Sequence, residues 1–70
     1  MISGRDAVKA FRKLGYEVDR QKGNHIILRP EQSPYRRLTI PDHQEIAKGT
    51  LRGSIRQAGI TVEEFRGLLT

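Results

Sequence analysis

Two histidines, His25 and His43, are the side chains in this 70-residue sequence whose ordinary titration lies near neutral pH, and no cysteine accompanies them. His25 follows the turn-forming Lys22-Gly23-Asn24 and opens the apolar run Ile26-Ile27-Leu28. His43 follows Pro41-Asp42. Two imidazoles eighteen positions apart fall short of a structural zinc site, and Asp42 beside His43 adds a single hard ligand. The sequence therefore calls for neither a metal nor a cofactor. Gly49-Thr50 and Gly53-Ser54 lack the glycine spacing and the lysine of a phosphate-gripping loop, and no serine or cysteine stands out as a nucleophile. What remains is proton transfer by histidine.

RNA suits such a chain because its 2′-hydroxyl is already a nucleophile. Cleavage needs a base for the 2′-OH proton, an acid for the leaving 5′-oxygen and cations for the charge on phosphorus. Histidine can fill either proton role, so His25 is the candidate catalytic residue and His43 a second acid–base or phosphate-binding candidate. Thirteen Lys and Arg against eight Asp and Glu give a formal charge of +5 and a pI near 10.3, which favours an anionic partner, with nucleic acid first among them. Lys22 and Asn24 in the expected turn, and Arg29 and Arg37 in the expected strands, are the RNA-binding candidates around His25. Lys48, Arg52 and Arg56 recur every four residues and form a stripe on an expected helix, suited to phosphate contact. The plainer alternatives are a turn-flanking histidine, a solvated basic face, and a noncatalytic RNA-binding module.

The elements that must position these residues are legible in the pattern. Ser3 caps a first helix with Asp6 three positions on; Ala7, Val8, Phe11 and Leu14 fall at helical spacing, and Gly15 ends it. Tyr16 to Gln21 alternates as a half-buried strand. Lys22-Gly23-Asn24 is the turn, read as a three-residue loop in which Gly and Asn both tolerate the positive φ of a tight hairpin. His25 to Arg29 is a second strand, Pro30 to Pro34 breaks it, and Tyr35 to Ile40 is a third, ending at Pro41. Pairing Ile26 with Ile40 and Leu28 with Leu38 gathers four apolar side chains on one face, and the first hairpin then pairs Val18 with Leu28 and Arg20 with Ile26. This register puts His25 opposite Pro41 on the other face, with Ile27, Arg29, Arg37 and Thr39, and brings His43 near it. One helical turn is expected at Glu45-Ile46-Ala47. Thr50 is read as the cap of a second helix with Leu51, Ile55 and Ala58 inward, closed by Gly59; Gly53 within it marks close packing or a tolerated weak spot. Thr61 and Glu64 form a capping box for a last short helix carrying Phe65, Leu68 and Leu69.

The result is one α+β domain over residues 1–70: a helix, a three-stranded antiparallel sheet, a second helix and a short C-terminal helix, in a two-layer sandwich. No apolar run is long enough to span a membrane and no secretory leader is visible, so a cytoplasmic, prokaryotic protein is expected.

Several of these segments together resemble the HicA family. They are Ser3-Gly4-Arg5-Asp6, Leu14-Gly15-Tyr16, Gly23-Asn24-His25-Ile26, Ile40-Pro41-Asp42-His43 and the stretch from Lys48 to Ile60, in the family's order and spacing through essentially the whole chain. The resemblance implies a fold like the double-stranded RNA-binding domain. It also implies a metal-independent endoribonuclease, the toxin of a stress-responsive toxin–antitoxin pair, that cleaves mRNA and inhibits translation. His25 takes the place of the family's catalytic histidine, and a HicB-type antitoxin is the implied protein partner. Asn24 stands where the family most often has Ser; it keeps turn chemistry and a polar side chain, so the backbone is expected to be retained.

Overall fold

In a computed structural model of the protein, residues 2–31 and 36–70 are described. Helix α1 spans Gly4–Leu14, strands β1, β2 and β3 span Tyr16–Lys22, His25–Pro30 and Leu38–Pro41, and helices α2 and α3 span Lys48–Ala58 and Val62–Leu68. The strands form an antiparallel sheet in the order β1-β2-β3. This is the expected two-layer α+β sandwich, with the element order of the double-stranded RNA-binding domain. Strand β2 runs on through Pro30, where the break was expected, and Arg36 and Arg37, expected inside the third strand, precede β3, which begins only at Leu38. The rest of the expected break and the expected strand start at Tyr35 fall outside the described residues.

Both capping boxes form. The Ser3 hydroxyl accepts from the Asp6 N–H at 3.0 Å while the Asp6 carboxylate accepts from the Ser3 N–H at 3.2 Å, and Thr61 and Glu64 do the same for α3 at 3.0 Å each. Gly15 and Gly59 close α1 and α2 in the left-handed conformation, which a Cβ would disfavour. The start of α2 differs from the sequence expectation. Its cap is Ala47, with no side-chain hydrogen bond, and Thr50 lies inside the first turn. Residues 45–47 form no helical turn. Helix α2 thus begins without a polar cap, and its hold on the fold comes from burial of Ser54, Ile55 and Ala58.

The core lies between the helices and one sheet face. Ala7, Val8, Ala10 and Phe11 of α1, Tyr16, Ile26, Leu28, Leu38 and Ile40 of the sheet, and Ile55, Ala58 and Phe65 pack into one cluster. Phe11 is its centre: its ring meets Tyr16 edge-on at 5.9 Å and Phe65 at 5.1 Å. The buried Tyr16 hydroxyl donates to the Arg36 carbonyl at 2.6 Å, linking the start of β1 to the approach to β3. Gly53 is exposed and a Cβ there would meet open space, so it is the weak spot of the two readings. The close approach occurs instead at Gly4. A Cβ on Gly4 would overlap the Pro41 carbonyl oxygen and come within 3.0 Å of its carbon and 3.1 Å of Asp42 Cα. The Gly4 N–H donates to the His43 carbonyl at 2.8 Å. The first turn of α1 is pressed directly onto the exit from β3.

Candidate active face

The β2–β3 register is the expected one: His25 opposes Pro41, Ile26 opposes Ile40, Ile27 opposes Thr39 and Leu28 opposes Leu38. With Ile26, Leu28, Leu38 and Ile40 buried against the helices, His25 and Ile27 belong to the open face. The first hairpin departs from expectation. Val18 pairs with Leu28 as anticipated, but then Arg20 pairs with Ile27, Gln21 with Ile26 and Lys22 with His25. Asp19 is a β-bulge, an extra residue that moves every later side chain of β1 to the opposite face. The turn is consequently two residues, Gly23-Asn24, and Lys22 ends the strand. Only Gly23 has positive φ, at 59°, the glycine-first pattern of a type II′ turn. Asn24 needs no left-handed backbone, so Asn or Ser fits this position with equal ease.

The bulge decides the chemistry of the open face. The expected pairing of Arg20 with Ile26 would put Arg20 on the helix side. The observed pairing with Ile27 places it on the open face, in a row with Lys22 and opposite the strand that begins at His25. Sequence reasoning misses Arg20 because a bulge leaves no composition signal; Asp19 next to Arg20 reads as plain alternation. His25, Lys22 and Arg20 are all exposed. Arg29 and Arg37, expected to serve phosphate, are engaged in the free protein. Arg29 Nη2 lies 3.5 Å from Glu17 Oε2, and Arg37 Nη1 donates to Asp19 Oδ2 at 2.9 Å. The Arg29–Glu17 pair is solvent-exposed on both sides and the Arg37–Asp19 pair on the arginine side, so each is worth little in stability and can be exchanged for a phosphate. Glu31 stands beside the first pair. Its hydrogen bond to Glu17 and the like charge there raise its carboxyl above the usual range.

Beneath the turn, on the helix side, Asp42 gathers three contacts. Its N–H donates to the Asn24 carbonyl at 2.7 Å. Its carboxylate accepts from Gln21 Nε2 at 3.1 Å and lies 3.5 Å from Arg5 Nε. Gln21 Nε2 also donates to the Gly23 carbonyl at 3.2 Å. The residue before His25 is therefore bonded to the residue before His43, and the His43 carbonyl is held by α1 through Gly4. The structure ties the two histidine-bearing segments together through their backbones, and His43 is exposed.

Lys48, Arg52 and Arg56 lie exposed on α2 in the helical layer, whereas His25, Lys22 and Arg20 stand on the open sheet face. Among the described residues these six basic or imidazole side chains make no side-chain hydrogen bond or ion pair with one another or with a carboxylate. No group of three or more His, Asp or Glu side chains able to hold a metal occurs among the described residues, and no helix there is long and apolar enough to cross a membrane.

Residues 4–60 match the family model described as "HicA toxin of bacterial toxin-antitoxin". Among solved structures, a chain of a toxin–antitoxin complex from Streptococcus pneumoniae superposes with a TM-score of 0.71 at 34% sequence identity, covering 86% of this chain and 100% of that one. No curated protein matches it in sequence.

Proposed function

The chain belongs to the HicA family of bacterial toxin–antitoxin toxins, and from that membership we propose that it is an endoribonuclease acting on mRNA, with His25 as its proton-transfer residue. The observation that carries this reading is the placement of His25. It is exposed at the first residue of β2, on a sheet face free of helices, directly opposite Lys22 and one row from Arg20.

The chemistry follows from that placement. A 2′-oxygen of the substrate attacks the adjacent phosphorus, its proton passes to a base, and the P–O5′ bond breaks as the 5′-oxygen receives a proton from an acid. His25 supplies one of these proton transfers. Lys22 and Arg20 stabilise the charge that accumulates on the phosphoryl oxygens. Arg29 and Arg37 join them when phosphate displaces Glu17 and Asp19. His43 is the candidate for the complementary proton role or for a phosphate contact. Asn24 contributes turn geometry and a polar side chain at the rim, and Lys48, Arg52 and Arg56 add long-range attraction for the polyanion. A HicB-type antitoxin would silence this surface by covering it.

RNA degradation by wild type and His25→Ala, each with and without chelator, tests the reading. The variant is expected to lose cleavage and growth arrest while keeping the fold, because His25 makes no side-chain contact that the fold depends on; chelator is expected to change nothing. Full activity in His25→Ala would overturn the assignment. Salt-dependent RNA binding by wild type without cleavage at any protein concentration would favour the noncatalytic module instead.

A further inference from the structure

The helical layer carries an apolar feature that the proposed RNA chemistry does not use, although two of its rim cations, Lys48 and Arg52, also belong to the basic stripe of α2. A groove of about 410 Å³ opens between α2, α3 and the segment before α2. Its floor is aliphatic, including Leu51, Val62 and Leu69. Val62 is 43% exposed and Leu69 38%, two of the three large apolar side chains most open to solvent among the described residues. Lys48, Arg52 and Arg66 stand on its rim against one carboxylate, Glu45, and among the described residues none of the three is ion-paired.

We propose that this groove is a docking site for an acidic amphipathic helix of a protein partner, seated with its apolar side chains on Leu51, Val62 and Leu69 and its carboxylates against Lys48, Arg52 and Arg66. An aliphatic floor with a charged rim is the anatomy of a helix-in-groove site. Nucleic acid fits it poorly. Bases need an aromatic platform for stacking, and the one aromatic lining the groove, Phe65, is 2% exposed. A second copy of this chain also fits poorly, because a protein of formal charge +5 would bring more cations to a cationic rim. The groove belongs to the layer opposite His25, so a partner can hold it without covering the open face. The inference stands independently of the ribonuclease reading.

The test uses the 70-residue protein, 15N-labelled, titrated with a blocked helical peptide bearing leucines at i, i+4 and i+7 between glutamates. The same peptide with lysines replacing the glutamates, and a short single-stranded RNA, are titrated in parallel. The acidic peptide is expected to shift the amides of Leu51, Val62 and Leu69, to bind at least tenfold more tightly than the lysine peptide, and to weaken at least tenfold with Val62→Asp or Arg66→Glu. Both residues are exposed, so the variants keep the wild-type amide spectrum, and RNA cleavage is unaltered by them. Equal binding of the two peptides, indifference to Val62→Asp, RNA shifting these amides where the acidic peptide does not, or self-association through Val62 would each overturn the proposal. Loss of cleavage in His25→Ala leaves it untouched, so the two readings fail separately.

Discussion

Gly4→Ala sets two familiar effects against each other. In a helix, Ala is favoured over Gly by up to about 1 kcal/mol, and Gly4 opens α1, so propensity alone predicts stabilisation. Packing predicts the reverse. The new methyl would clash with the Pro41 carbonyl oxygen, with Asp42 Cα at 3.1 Å, and these are backbone atoms that cannot rotate away. Overpacking of this kind costs about 1–3 kcal/mol. Separating α1 from the β3 exit also strains the 2.8 Å bond from the Gly4 N–H to the His43 carbonyl, worth about 0.5–1.5 kcal/mol. The net expectation is a loss of about 1–3 kcal/mol, against a total of roughly 4–10 kcal/mol for a domain of this size. For a small domain that lowers Tm by roughly 4–24 °C. Urea and thermal unfolding followed by far-ultraviolet circular dichroism would measure it. Gly49→Ala is the control, since a Cβ at Gly49 meets nothing within 4 Å. Because the displaced atoms belong to Pro41, Asp42 and His43, cleavage by Gly4→Ala is expected to fall even at temperatures where the variant is fully folded. A Gly4→Ala protein as stable as wild type, or more so, would refute the packing argument.

Gly53→Ala should behave in the opposite sense: an exposed helical position with open space gains about 0.5–1 kcal/mol, and Tm should rise by roughly 2–8 °C; an unchanged or lowered Tm would contradict the geometry. The acid side of the stability profile should carry the α1 capping box. The Ser3 N–H and hydroxyl hold the Asp6 carboxyl below its usual range, so the folded state releases this proton more readily than the unfolded chain. The stabilisation is then present above the ordinary carboxyl pKa and lost as pH falls through the depressed folded value. Urea midpoints across that range should show wild type exceeding Asp6→Asn at neutral pH and converging with it in acid. Glu31, raised by Glu17, contributes with the opposite sign: its stability is present in acid and lost as pH rises through the raised folded pKa.

Much of this protein is determined locally and is legible in the order of its residues. The two capping boxes depend on residues three apart, and Gly15 and Gly59 on the conformational freedom of a single residue. The β2–β3 register follows from apolar alternation, because a one-residue slip would turn Ile26, Leu28, Leu38 and Ile40 to water. Those same facts put His25 on the open face. The start of α2 is misleading in sequence because Thr50 has the chemistry of a cap, and nothing local reveals that Ala47 takes the role while burial of Ile55 and Ala58 holds the helix. Tertiary structure alone decided the rest. The bulge at Asp19 exists only in the pairing of β1 with β2, and it transfers Arg20 to the face of His25. The pairing of Arg37 with Asp19, the Gln21–Asp42–Arg5 contacts beneath the turn and the seating of Gly4 on Pro41 join residues that are distant in sequence. Such contacts depend on where whole elements come to rest, and no periodicity along the chain encodes that. The sequence by itself named the histidine; the packing of α1 on the β3 exit and the extra residue in β1 gave it its neighbours.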